Sequence, residues 1–148
     1  MQSAAIVLAA GQGTRMKSSL PKVAHAILGE SLLGYVLRAT REAGVGRTVT
    51  VVGHGADVVR SLDIETDFAV QEEQLGTGHA VMCAESAMTG FSGSIVVLAG
   101  DVPLIRPRTI RALLDARQET GAACVLLSAE FPDPTGYGRI IRDAEGHV

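Results

Sequence analysis

Short, branched apolar runs alternate along this chain with segments whose apolar positions follow helical spacing, and that alternation narrows the fold more than any other feature. Residues 4–9 (AAIVLA) are continuously apolar, as are the cores of residues 94–99 (SIVVLA) and 122–128 (AACVLLS); residues 47–52 (RTVTVV) and a shorter run at residues 67–70 read as further strands. Continuous runs of this kind mark strands covered on both faces. Between them, Leu32, Leu33, Val36, Leu37 and Ala39 follow helical spacing from Ser31, with Gly44 as a left-handed stop. Residues 56–62 predict a short helix. Ala80, Val81, Ala84, Ala87 and Met88 predict another, starting near Thr77, and Ile110, Leu113 and Leu114 a third, opened by Pro107 and ended by Gly121. A βαβα order with short connections predicts an α/β, Rossmann-like, mostly parallel sheet with helices on both faces, and ligands at the carboxyl ends of its strands. Beyond Ser128, FPDPTGYG reads as a loop, residues 139–142 as a strand and Glu145-Gly146 as a tight turn. The return strand of that hairpin would begin at about the last residue, so the pattern predicts a fold truncated on its C-terminal side.

Composition excludes several function classes. The residues AVILMFWYC make up 47% of the 148 but aromatics only 3%, so the core is aliphatic and little ring surface is left for stacking bases of a nucleic acid. The net charge is -3 and Lys and Arg form no run, which argues against a nucleic-acid or anionic-membrane surface. Cys83 and Cys124 lie in apolar segments without a CxxC spacing, and predict reduced, buried thiols. His25, His54, His79 and His147 are scattered without zinc spacing and read as structural or solvated. The N-terminal apolar run lacks a basic flank and stops at a glycine loop, so it reads as a first strand and the protein as cytoplasmic.

The stretch LAAGQGTRMKSSLPK, from Leu8 to Lys22, follows the first strand directly. It is not a Walker A loop, and Met16 stands where the dinucleotide fingerprint needs a third small residue. Gly11 and Gly13 would let main-chain N–H groups approach an anion closely, while Arg15 offers a planar fork to phosphate and Lys22 a mobile charge. A glycine turn beside two solvated cations accounts for the same spacing.

LAAGQGTRMKSSLPKV closely resembles the signature of sugar-nucleotide pyrophosphorylases. Three further stretches narrow the resemblance: QEEQLGTGHA from Gln71, LAGDVPLI from Leu98 and DPTGYGRIIR from Asp133. In that order they resemble the N-terminal domain of the bacterial bifunctional N-acetylglucosamine-1-phosphate uridylyltransferases/glucosamine-1-phosphate acetyltransferases, over essentially the whole chain.

The resemblance implies the nucleotide-diphospho-sugar transferase fold and a Mg2+-dependent reaction of UTP with N-acetylglucosamine 1-phosphate. It implies that Leu8, Ala9, Ala10, Gly11, Gly13, Thr14, Gln71, Gly76 and Thr77 hold the nucleotide, Gln71, Gly76 and Thr77 at the base. Arg15 and Lys22 would be catalytic, stabilising the triphosphate and the departing pyrophosphate; Asp101 would bind the metal and Gly138 the sugar. Gln12 stands where some relatives carry Lys, and Ala99 where many carry an aromatic residue. Residues 1–148 would be the nucleotide-binding portion of the domain. Further sugar contacts, a second metal ligand and a β-helix acetyltransferase domain, which carries most of the family's trimer contacts, would lie beyond it, so this chain is expected to be a monomer. Two alternatives stay open: a fragment or regulatory module that binds UTP or UDP-sugar with little turnover, and a pyrophosphorylase for another base or sugar.

Overall fold

The computed structural model describes residues 2–11, 13, 16–62, 64–146 and 148. Its centre is a four-stranded parallel sheet of order β5-β4-β1-β6, formed by β1 (Ser3–Leu8), β4 (Arg47–Val52), β5 (Asp67–Val70) and β6 (Ser94–Ala99). Ile6 is in register with Val49 on one side and with Val97 on the other, which makes β1 the inner strand where the winding reverses. The crevice outside the carboxyl ends of such strands is where ligands of open α/β sheets bind.

Side chains alternate across β1, so both faces of the sheet must be covered. Ala5, Val7 and Ala9 join one apolar cluster with Leu33, Val36, Leu37, Val59 and Ile110. These come from α1 (Leu32–Glu42), α2 (Ala56–Arg60) and α4 (Pro107–Thr120). Ala4, Ile6 and Ala10 join a second cluster with Ala80, Ala84 and Met88, supplied by α3 (Thr77–Cys83), the residue that caps it, and the 3-10 turn Ser86–Met88. The expected helices on both faces are therefore present.

Local chemistry sets the ends of these elements. Ser31 caps α1, its Oγ accepting from Gly34 N at 3.0 Å. Ser31 also closes a small antiparallel hairpin, β2 (Ala26–Ile27) with β3 (Glu30–Ser31), which the apolar pattern does not predict because it buries almost nothing. Pro107 occupies the first turn of α4 and Gly121 ends it at φ 64°.

Two predicted strands are not formed. Residues 122–128 and 139–142 have no ladder partner among the described residues. The first runs beside the free edge of β6 but is separated from it by a cleft of about 640 Å³, and Leu126 and Leu127 are 58% and 64% exposed. Branched apolar composition favours a pleated surface only where one is available to pack on. For the same reason Cys124 is exposed; Cys83, at the end of the helix Thr77–Cys83, is half-buried, and both are free thiols, so the expectation of two buried thiols is corrected.

Candidate functional site

The carboxyl edge of the sheet opens onto a cavity of about 690 Å³. β1 feeds it first. Ala9 continues the ladder, its N–H donating to Val51 O at 2.8 Å, and Ala9 and Ala10 are buried before the chain turns at Gly11. Gly13 adopts φ 59°, and a Cβ there would come within 2.9 Å of the Lys22 Cβ, so this loop lies directly against the Lys22 stem. Lys22 begins a 3-10 turn, Lys22–Ala24, whose Val23 and Ala24 are buried and anchor it.

β6 feeds the opposite wall. Gly100 N donates to Leu8 O at 2.8 Å, and a Cβ at Gly100 would meet that oxygen at 2.9 Å. This close approach of paired neighbours delivers Asp101 to the cavity mouth, where its Oδ2 accepts from Lys22 Nζ at 2.6 Å. Both side chains are partly exposed, 41% for Lys22 and 33% for Asp101, so the pair adds little to stability.

β5 supplies the third wall. Gln71 N donates to Val52 O at 2.8 Å and the side chain is 3% exposed. Its Nε2 lies 3.1 Å from Gly76 O and 3.1 Å from His79 Nδ1. Gly76 and Thr77 follow at the start of α3 and also line the cavity.

The cavity thus brings together Leu8, Ala9, Ala10, Gly11, Gly13, Lys22, Gln71, Gly76, Thr77 and Asp101 from four separate stretches. Thr14 and Arg15 lie outside the described residues, as do Gln12 and His147. Gly138 is exposed and is not among the cavity residues; it sits in a loop where Tyr137 N donates to Pro134 O and Arg139 holds Pro134 O and Tyr137 O. In that loop the Thr135 hydroxyl, followed by the Thr135 N–H, holds the Asp133 carboxyl below the ordinary carboxylate range.

Met16, Val23, Gln74, Ala80 and Ala99 line the cavity as well, and sequence reasoning assigned none of them to the site. Gln74 lies within QEEQLGTGHA and was the one that its side-chain chemistry could have flagged. Among the histidines, His54 is exposed, His79 bonds into the site, and His25 has a buried Nε2 without a partner among the described residues.

No group of three or more His, Cys, Asp or Glu is placed to hold a metal among the described residues. Among the described residues Asp101 is the one carboxylate of the cavity lining, which suits an ion held by one carboxylate together with substrate phosphates, the habit of Mg2+. No helix among the described residues is long and apolar enough to cross a membrane.

Comparison with known proteins gives the family of the chain. Residues 5–145 match the family model of the MobA-like NTP transferase domain. The chain is 53% identical to a protein named bifunctional protein GlmU from Geobacter metallireducens, over 98% of this chain and 31% of that one. It is 50% identical to the protein of that name from Lactococcus lactis, over 100% of this chain and 32% of that one. The chain therefore spans about a third of the length of these relatives. Among solved structures, Rv0371c of Mycobacterium tuberculosis superposes with a TM-score of 0.68 at 28% identity, covering 78% of this chain and 60% of that one. Its complex with manganese gives 0.64 at 29%, covering 78% and 59%. The inositol-1-phosphate CTP transferase of T. maritima gives 0.56 at 28% identity, covering 68% and 44%. The chain belongs to the MobA-like NTP transferase domain family.

Proposed function

We propose that this chain is the nucleotide-binding portion of a uridylyltransferase that converts UTP and N-acetylglucosamine 1-phosphate into UDP-N-acetylglucosamine and pyrophosphate, in the cytoplasm, as a step toward cell-wall precursors. The observation that carries the reading is the single cavity in which the glycine loop, Lys22, Gln71 and Asp101 meet. About 50% identity to proteins named bifunctional GlmU supports the choice of substrates.

In the reaction a phosphate oxygen of the sugar phosphate attacks the α-phosphorus of UTP. The bond from that phosphorus to the oxygen bridging the β-phosphate breaks, and pyrophosphate leaves with the electron pair. The substrate supplies the nucleophile, so the protein's part is positioning and charge neutralisation. Main-chain N–H groups of the Ala10–Gly13 loop cradle the phosphates, and Gln71 with Gly76 and Thr77 holds the base. Without nucleotide, Lys22 neutralises Asp101; with nucleotide bound its ammonium turns to the phosphates, joined by Arg15 and Thr14. Mg2+, held by Asp101 and the substrate phosphates, would supply further charge neutralisation. Gly138 is assigned to the sugar, and this chain is taken as a monomer.

Pyrophosphate release from UTP, N-acetylglucosamine 1-phosphate and Mg2+ tests the proposal. Release is expected with UTP and not with CTP, dTTP or GTP. Thermal stabilisation by UTP without release would replace catalysis by this chain with nucleotide binding alone, and a better response to another base would overturn the uridine assignment.

A further inference from the structure

Gln71 is almost fully buried, and its amide is held from two sides. Nε2 lies 3.1 Å from Gly76 O and 3.1 Å from His79 Nδ1. A carbonyl oxygen only accepts, so the atom beside Gly76 O is the amide NH2. Its two hydrogens then go to Gly76 O and to His79 Nδ1, which must offer a lone pair. The proton of the neutral ring therefore sits on Nε2, which faces the weak acceptor Cys83 Sγ at 3.8 Å. With both donors engaged, the open valence of this side chain is Oε1, which no described residue bonds. Gln71 lines the nucleotide cavity, so that oxygen is the amide group left for a ligand.

We propose that His79 is a positioning residue that locks the Gln71 amide with its oxygen free, so that the cavity takes a pyrimidine carrying a ring N–H and turns away one carrying a ring lone pair at the same position. Uracil has such an N–H at N3; cytosine has a lone pair there, and would set acceptor against acceptor in a buried site. The inference rests on the uridine-nucleotide reading above and adds to it the group that sets the direction of the hydrogen bond. Gly76 O alone leaves the amide held at one point. His79 provides the second point, and one such hydrogen bond is worth about a tenfold effect.

Equilibrium binding of UTP and of CTP to the full chain, with thermal scans of each variant, tests this. The wild-type chain is expected to prefer UTP. His79→Leu is expected to lower the UTP/CTP affinity ratio by about tenfold through weaker UTP binding. His79→Asn, whose Oδ1 stands in for the Nδ1 lone pair, is expected to recover most of the ratio. His79→Gln places its amide further out and is expected to behave like His79→Leu, which keeps the test alive if the leucine variant does not fold. A ratio unchanged in the leucine or glutamine variant, or equal loss of UTP and CTP binding, overturns the role of His79 while leaving the uridine reading standing. A wild-type chain without preference for UTP overturns both.

Discussion

Lys22 Nζ donates to Asp101 Oδ2 at 2.6 Å across 79 residues of sequence, joining the loop after the first strand to the end of the last strand of the sheet. The contact depends on two close approaches of backbone, the glycine loop over the Lys22 stem and Gly100 beside Leu8 O. An ammonium and a carboxylate that are both partly open to solvent can exchange partners at small cost. That is what a site needs when a polyanion and its counter-cation arrive together.

Asp101→Asn is therefore expected to separate stability from metal dependence. Loss of a partly exposed ion pair costs about 0 to 1 kcal/mol and lowers the thermal midpoint by a few degrees at most. The gain in UTP affinity on adding Mg2+ should disappear. Thermal scans with UTP, with and without Mg2+, check both parts; a variant that keeps the full Mg2+ gain removes Asp101 from the metal site.

The two glycines of the loop are expected to respond differently to alanine. At Gly13 the backbone is left-handed and the new Cβ would press on Lys22, so Gly13→Ala should cost about 1 to 2 kcal/mol of stability and weaken UTP binding. A Cβ at Gly11 meets nothing within 4 Å, so Gly11→Ala should leave stability within about 0.5 kcal/mol. If main-chain groups at Gly11 touch the nucleotide, that variant still loses affinity. Urea unfolding and UTP titration of both variants decide this, and a Gly11→Ala chain with undiminished affinity places the nucleotide elsewhere.

Gly100→Ala probes the close approach of the chain after β6 to the end of its neighbour β1. The obstructing atom is a backbone oxygen at 2.9 Å, which cannot rotate away as a side chain would. Separation of the strands is expected to cost about 1 to 3 kcal/mol and to displace Asp101, so Mg2+-dependent UTP binding should fall together with the urea midpoint. A loss of stability with metal dependence intact would uncouple Asp101 from this close approach.

The parts of this architecture that rest on local pattern were legible in the sequence. Residues 47–52, 67–70 and 94–99 are strands as the apolar runs predict, and Ser31, Pro107 and Gly121 bound their helices through capping chemistry that acts within a few residues. The glycine loop, Lys22, Gln71 and Asp101 were legible as separate motifs; the glycine loop, Gln71 and Asp101 each follow the carboxyl end of a strand, and parallel topology brings those ends to one edge, where the Lys22 turn meets them. The bond from Gln71 to His79 depends on how the chain packs and was not legible, nor was the hairpin of β2 with β3, which buries almost nothing. Residues 122–128 mislead for the complementary reason. Their composition suits a strand, but a strand exists only with a partner.

That difference predicts contrasting costs for apolar residues that look alike in the sequence. Ile110 is 0% exposed, packed between α4 and the sheet, whereas Leu126 and Leu127 are 58% and 64% exposed. Ile110→Ala removes buried methyl groups and leaves a cavity, and is expected to cost about 2 to 5 kcal/mol. Leu126→Ser and Leu127→Ser change surface that is already in water, and each should stay within about 0.5 kcal/mol of the parent. Urea unfolding of the three variants of this chain measures the contrast. A cost above about 2 kcal/mol at Leu126 or Leu127 would mean that residues 122–128 pack as a strand against β6, in which case the cleft between them is closed in solution.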